Sequence, residues 1–205
     1  RGKTQVVSHR TSSLCMGHGP VIDYLAGQLD NLANNGLTWL LHDFETISRC
    51  DSAIHDHPQG LGEDWAVRGW YRLLSEFRAR FENVWLENCW NGGRPLDLQM
   101  VGHHDTTIGD DFCDVRHNAV AKVGLGKYLP AHWCSSYMSD QNSLTLRSQL
   151  AIYAVGGPWI LMGDIPNWSA EKLALAKRVM NVYRAWRPMF PTGSVRWASL
   201  SGWQA

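Results

Sequence analysis

Val84–Asp110 reads V-W-L-E-N-C-W-N-G-G-R-P-L-D-L-Q-M-V-G-H-H-D-T-T-I-G-D. Its first residues, Val84, Trp85 and Leu86, have strand character and run into Glu87 and Cys89. A loop with two glycines, Gly92 and Gly93, follows, and then Arg94 and Asp97. A second short strand, Thr106 to Ile108, ends in Gly109-Asp110-Asp111. Ionisable residues and glycines therefore sit just past the ends of short apolar strands. In α/β proteins chemistry is placed there, because the strands are rigid and the loops at their carboxyl ends are free to vary.

Working outward, the same alternation recurs. Ser12 to Met16 predicts a strand, broken by Gly17-His18-Gly19-Pro20. Pro20 suits the first turn of a helix, and Val21, Ile22, Leu25, Leu29 and Leu32 then recur at helical spacing. Asn34-Asn35-Gly36 predicts its end. Leu37 to Leu41 is apolar enough for a strand buried on both faces, and it leads into His42-Asp43-Phe44-Glu45. After a polar loop, Thr46 to Gly62, a helix is expected from Glu63 to Phe81. Downstream, the pattern predicts helices over Asp114–Val123, Leu144–Val155 and from Ser169. A strand is expected within Tyr128–Met138 and another from Pro158 to Met162, the latter ending in Gly163-Asp164.

Six strand candidates alternating with helices imply parallel strands with helices outside. No G-x-G-x-x-G follows the first strand, which weighs against a dinucleotide fold. Acidic residues end three strands (Asp43, Glu87, Asp110), which favours a (β/α)8 TIM-type barrel with a carboxylate-lined mouth. The 205-residue chain carries 19 basic and 19 acidic residues and no basic block, so nucleic acid is a poor partner. No apolar run approaches the roughly 20 residues that span a bilayer, so no membrane partner is expected.

Cys15, Cys50, Cys89, Cys113 and Cys134 form no C-x-x-C pair, so the spacing argues against a cysteine-based zinc site. Five unpaired-looking thiols and no signal-peptide pattern favour a cytoplasmic location. His55-x-His57 and His103-His104-Asp105 are weak metal signals beside the reading as solvated loops. No metal and no cofactor is therefore expected. The 11 tryptophans fit either a core or a sugar-binding cleft.

Two carboxylates across a barrel mouth are the parts that glycoside hydrolysis needs. Asp43 and Asp110 are the best pair, because each follows an apolar strand. The alternative is that Asp43 caps a helix or pairs with Arg49, and that Asp110 opens the next helix. Trp90 and Trp133, in loops near strand ends, suit either sugar stacking or core packing.

W-L-L-H-D-F (39–44), L-E-N-C-W-N-G-G-R-P-L-D-L-Q-M (86–100) and T-I-G-D-D-F-C-D (107–114), in this order, resemble the catalytic core of family 36 α-galactosidases. G-P-V-I-D-Y-L and G-P-W-I-L-M-G-D-I resemble it too, so the likeness covers about residues 12–190. It implies a retaining α-glycosidase, with α-galactosides as leading substrate, on a (β/α)8 barrel without metal. Asp43 falls on the nucleophile position and Asp110 on the acid/base position. Cys89 and Gly92 fall on positions lining the sugar pocket. Arg94 and Asp97 match an R-x-D element with one residue inserted. His42 stands where the family has the Trp before the nucleophile, and Arg10 lies near the place of a sugar-binding Arg.

Two departures accompany the resemblance. Leu41 stands where the family has a Lys that donates to sugar hydroxyls. Ser12–Met16 would also be the third barrel strand, so about strands 3 to 8 are present. The expected organisation is a partial barrel over residues 1–190 and the start of a C-terminal β segment over 191–205. A fragment with a truncated N-terminus is the favoured explanation. Homo-oligomerisation, in which two copies complete each other's open strand edges, is the other. The alternatives to a hydrolase are a non-catalytic carbohydrate-binding remnant and a transglycosylase using the same two carboxylates.

Overall fold

The computed structural model describes residues 6–7, 11–43, 47, 49–93, 96–109, 111, 114–139, 146–154 and 156–193. The chain divides into two compact units, Arg1–Asp105 and Thr106–Ala205. Both are α/β, with parallel strands followed by helices.

The first unit opens with a small antiparallel pair, β1 (Val6–Val7) and β2 (Thr11–Ser12). The strand expected over Ser12–Met16 is therefore corrected. Only Thr11–Ser12 is extended and paired, and Cys15 and Met16 are buried in a non-strand segment that leads into α1 (Gly19–Asn34). Pro20 occupies the first turn of α1, and Gly36 follows its end at φ +94°. That backbone angle strains any residue with a Cβ.

β3 (Trp39–His42) pairs in parallel with β4 (Trp85–Asn88), with α2 (Gly62–Arg80) between them in sequence. The register sets Trp39 opposite Trp85, Leu40 opposite Leu86, Leu41 opposite Glu87 and His42 opposite Asn88. Side chains alternate across a strand, so Leu40 and Leu86 face the helices. There they join Leu74, Phe77, Val84, Trp90 and Met100 in one apolar cluster. The other face of β3 is not buried as its sequence suggested. Trp39 and Leu41 are each 38% exposed, and Trp85 is 42% exposed. Arg78 of α2 donates to Val84 O (3.0 Å) and pairs with Asp105, whose Oδ2 also accepts from Leu86 N at 2.8 Å. These bonds anchor the end of α2 to the start of β4.

The described residues of the second unit include three parallel strands, β5 (Thr106–Ile108), β6 (Cys134–Ser139) and β7 (Trp159–Met162), with β5 beside β6 and β6 beside β7. Its helices are α5 (Val115–Leu125), α6 (Leu146–Tyr153) and α7 (Ala170–Trp186). Asp114 caps α5 by accepting from Arg116 N (2.8 Å) and His117 N (3.2 Å). Ser169 caps α7 by accepting from Lys172 N at 3.2 Å. Val115, Leu150, Trp168 and Ala176 form its core. Among the described residues no helix is long and apolar enough to cross a membrane.

Candidate active site

The parallel pairing of β3 and β4 sets the geometry of the candidate site. Cys89 N donates to His42 O at 3.0 Å, which carries the ladder one residue past the end of β4. Asp43 and Cys89 therefore leave neighbouring strands at the same, carboxyl-terminal edge. Asp43 is exposed and Cys89 is buried. By alternation Asp43 lies on the face of Trp39 and Leu41, the face turned away from the helices. Arg49, one proposed partner for Asp43, pairs with Glu63 at 3.0 Å.

Glu87 lies on this same face and is fully buried. It accepts from Trp39 Nε1 at 2.9 Å, while Trp39 stacks on Trp85 with ring centroids 5.4 Å apart. The sequence marks Glu87 as a strand-end acid and no more. The signal available was its register opposite Leu41, which needs the pairing to be seen. After Cys89 the chain turns through a short helix, α3 (Trp90–Gly93), in place of the expected loop. Gly92 and Gly93 adopt φ +77° and +76°, the left-handed region where glycine is favoured.

Four residues expected at a sugar site, His42, Trp90, Trp133 and Asp97, make the following contacts. His42 points to the helix side and is 8% exposed. Its ring lies parallel to that of His104, 5.6 Å away, and packs against Trp70 and Trp90. Burial, then His104, pushes its pKa down to about 3, and burial pushes His104 down to about 4. Both imidazoles are neutral core groups. His104 Nδ1, 2.8 Å from Met100 O, is its donor. Trp90 is 5% exposed and belongs to the apolar cluster, so core packing is the alternative the structure takes.

Trp133 is half-buried in a 3-10 turn before β6. Thr107 pairs with Cys134, and Thr106 Oγ1 donates to Trp133 O at 3.0 Å. Trp133 therefore lies level with the start of β5, at the amino-terminal edge of these strands.

Asp97 is the N-cap of α4 (Leu98–His103), a helix too short for its sequence to show a helical period. Its Oδ1 accepts from Gln99 N and Met100 N, both at 2.9 Å, and its Oδ2 accepts from Tyr71 OH at 2.8 Å. Burial and this carboxylate push the Tyr71 phenol up to about 12, so it remains a donor. Asp110, Arg94 and Arg10 lie outside the described residues.

Spacing along the chain gives no sign of one grouping that folding produces. Cys15, Cys50, His55 and His57 gather in the first unit, with one ligand atom of each within 4.8 Å of the others.

Parallel strands alternating with helices are the fold that the chain shares with solved GH36 α-galactosidases. No family model matches the sequence. The chain is 23% identical over 145 residues to an α-galactosidase of Escherichia coli, covering 67% of this chain and 20% of that protein.

Among solved structures, it matches a variant of the GH36 α-galactosidase AgaA of Geobacillus stearothermophilus in complex with 1-deoxygalactonojirimycin. The TM-score is 0.83 at 18% identity, over 93% of this chain and 28% of that one. AgaB of the same organism matches with a TM-score of 0.83 at 20% identity, over 93% of this chain and 28% of that one. The α-galactosidase of Lactobacillus brevis gives 0.81 at 20% identity, over 94% of this chain and 27% of that one. The chain thus spans 20% of the curated relative's length and under a third of these structures.

Proposed function

We propose that this chain is catalytic-barrel sequence of a retaining α-glycosidase, with terminal α-galactosides as substrates. The observation that carries the reading is Asp43, exposed at the carboxyl edge of β3 beside the buried Glu87 of β4 and Cys89 just past its end. Asp43 attacks the anomeric carbon and forms a covalent glycosyl-enzyme intermediate. Asp110 protonates the departing oxygen, then takes a proton from the incoming water. Gly92 gives the E-x-C-W-N-G-G-R segment its tight turn, and Arg94 and Arg10 are the candidate donors to sugar hydroxyls. Related proteins support the substrate class, since two of the matched AgaA variants were solved with raffinose and with stachyose.

One observation favours a second reading. Leu41, on the same face as Asp43, is 38% exposed and has no donor for a sugar hydroxyl. A carbohydrate-binding remnant without turnover, or a transglycosylase of altered specificity, accommodates this loss.

Intact-mass analysis after incubation with 2-deoxy-2-fluoro or cyclitol mechanism-based labels, in galacto and gluco series, tests the proposal. Galacto labelling at Asp43 is the expected result, with azide restoring turnover to Asp43→Ala and not to Asp110→Ala. Labelling by the gluco series alone moves the substrate and keeps the mechanism. No label in folded protein, with sugar binding retained, overturns the hydrolase reading in favour of the remnant.

A further inference from the structure

The β3–α2 connection runs from Asp43 to Leu61, and its described residues form no helix or strand. Connections longer than about 12–15 residues without secondary structure are uncommon and are usually functional or disordered. Within it, Cys50 is 4% and His57 5% exposed, and His55 is half-buried. Across from them Cys15, 6% exposed, lies in the segment between β2 and α1. We propose that Cys15, Cys50, His55 and His57 form a tetrahedral site for a zinc ion, which staples the β3–α2 connection to the segment before α1.

The geometry fits the ion. Zinc–sulfur bonds of about 2.3 Å and zinc–nitrogen bonds of about 2.0–2.1 Å put the ligand atoms of a tetrahedral site about 3.3–3.8 Å apart. Cys15 Sγ is 3.2 Å from His57 Nε2, and Cys50 Sγ is 3.2 Å from His55 Nδ1. All four atoms lie within 4.8 Å of one another, so small rotations close the set. Two isolated S–H···N bonds would satisfy the same groups pairwise, but they give no reason for both pairs to converge. Two thiolates and two neutral imidazoles also neutralise a divalent cation, and this donor set suits zinc.

The surroundings are those of a prepared site. His57 Nδ1, 3.1 Å from Pro58 O, donates to that carbonyl, which leaves Nε2 as a bare lone pair aimed at Cys15. Between the two histidines, Asp56 Oδ2 accepts from Gly19 N at 2.8 Å and lies 3.0 Å from His18 Nδ1. The His-Asp-His turn is thereby held on the amino end of α1. The His55 ring stacks on His18 with centroids 4.4 Å apart.

Glycines permit the close approach. A Cβ on Gly62 would stand 1.9 Å from Cys50 O, and one on Gly17 would stand 2.9 Å from His57 Cδ2. Zinc binding releases the protons of the two thiols it takes as ligands. Four protein ligands fill the tetrahedron, so the ion is structural and has no open position for substrate.

The experiment uses untagged protein, purified with reductant and reconstituted with zinc, and reads metal content independently of any glycosidase activity. One zinc per chain is expected by elemental analysis, lost in Cys50→Ser and weakened in His55→Gln. Cobalt replacing zinc should give tetrahedral ligand-field bands and thiolate charge-transfer absorption in the native chain, a readout that needs no variant to fold. Folded protein that takes up no zinc and shows no tetrahedral cobalt spectrum overturns the proposal. So does a Cys15–Cys50 disulfide found in the native protein, or zinc retained in full by folded Cys50→Ser.

Discussion

Gly69 and Gly27 offer a paired test of how the first unit is packed. Both are glycines inside helices, Gly69 in α2 and Gly27 in α1. Helix propensity alone favours alanine at either by about 1 kcal/mol. Around Gly27 an added Cβ meets nothing within 4 Å. Around Gly69 it would lie 1.7 Å from Met16 O and 3.1 Å from Ile22 Cδ1. The first neighbour is backbone, in the buried segment that carries Cys15, so it cannot swing aside as a side chain would.

Relieving that clash means separating α2 from the chain before α1 by more than an ångström. Overpacking of this kind costs about 3 kcal/mol or more, so Gly69→Ala should lose about 2 kcal/mol net after the propensity gain. For a unit of this size that is a fall in melting temperature of roughly 10 °C, while Gly27→Ala should rise by a few degrees. Thermal unfolding followed by circular dichroism measures both. Equal stabilisation by the two substitutions would refute the close approach of Met16 to α2, and with it the packing argued for Cys15.

Three further outcomes follow from the site. His42 and His104 are held neutral in the folded chain, with pKa values near 3 and 4, whereas unfolded histidines titrate near 6.5. The unfolded state therefore binds more protons below pH 6.5. Stability should be full above that pH and fall by about 2 kcal/mol per imidazole by pH 5; a urea midpoint unchanged between pH 7 and 5 contradicts this. Asp97→Ala removes the α4 cap and the acceptor of Tyr71 and should cost about 1–2 kcal/mol in denaturant titrations. If stability is unchanged and sugar binding alone is lost, Asp97 belongs to the sugar site instead. Trp39→Phe deletes the donor to the buried Glu87 Oε2 and should destabilise by about 1–2 kcal/mol, with no gain on lowering ring polarity.

Much of the fold was written in local pattern. The 3.6-residue recurrence of Val21, Ile22, Leu25 and Leu29, bounded by Pro20 and Gly36, marks α1 almost residue for residue. Asp114 and Ser169 announce α5 and α7 because a capping side chain needs only its own next turn. The α4 helix was missed because its six residues carry too little periodicity beside the glycine-rich segment before them. The strand expected at Ser12–Met16 failed because an apolar run signals burial without saying in what conformation. Both residues are buried, Met16 against α1 and α2 and Cys15 beside His57.

The candidate site divides the same way. The order of the chain, its strand-then-helix alternation, and the placing of Asp43, Cys89 and Gly92 just past strand ends were legible from sequence, since each depends on neighbours a few residues away. Which way a side chain faces was not. His42 and Asp43 are adjacent, yet one is sealed among Trp70, Trp90 and His104 while the other is open, because a strand sends successive residues to opposite faces and only pairing with β4 says which face the helices cover. Distance along the chain hid the thiol–imidazole cluster as well. Cys15 and His57 are 42 residues apart, and no spacing rule foresees a meeting that depends on α2 packing against Cys50 at Gly62 and against Met16 and Ile22 at Gly69. Local stereochemistry needs only the sequence; convergence of distant groups needs the packed chain.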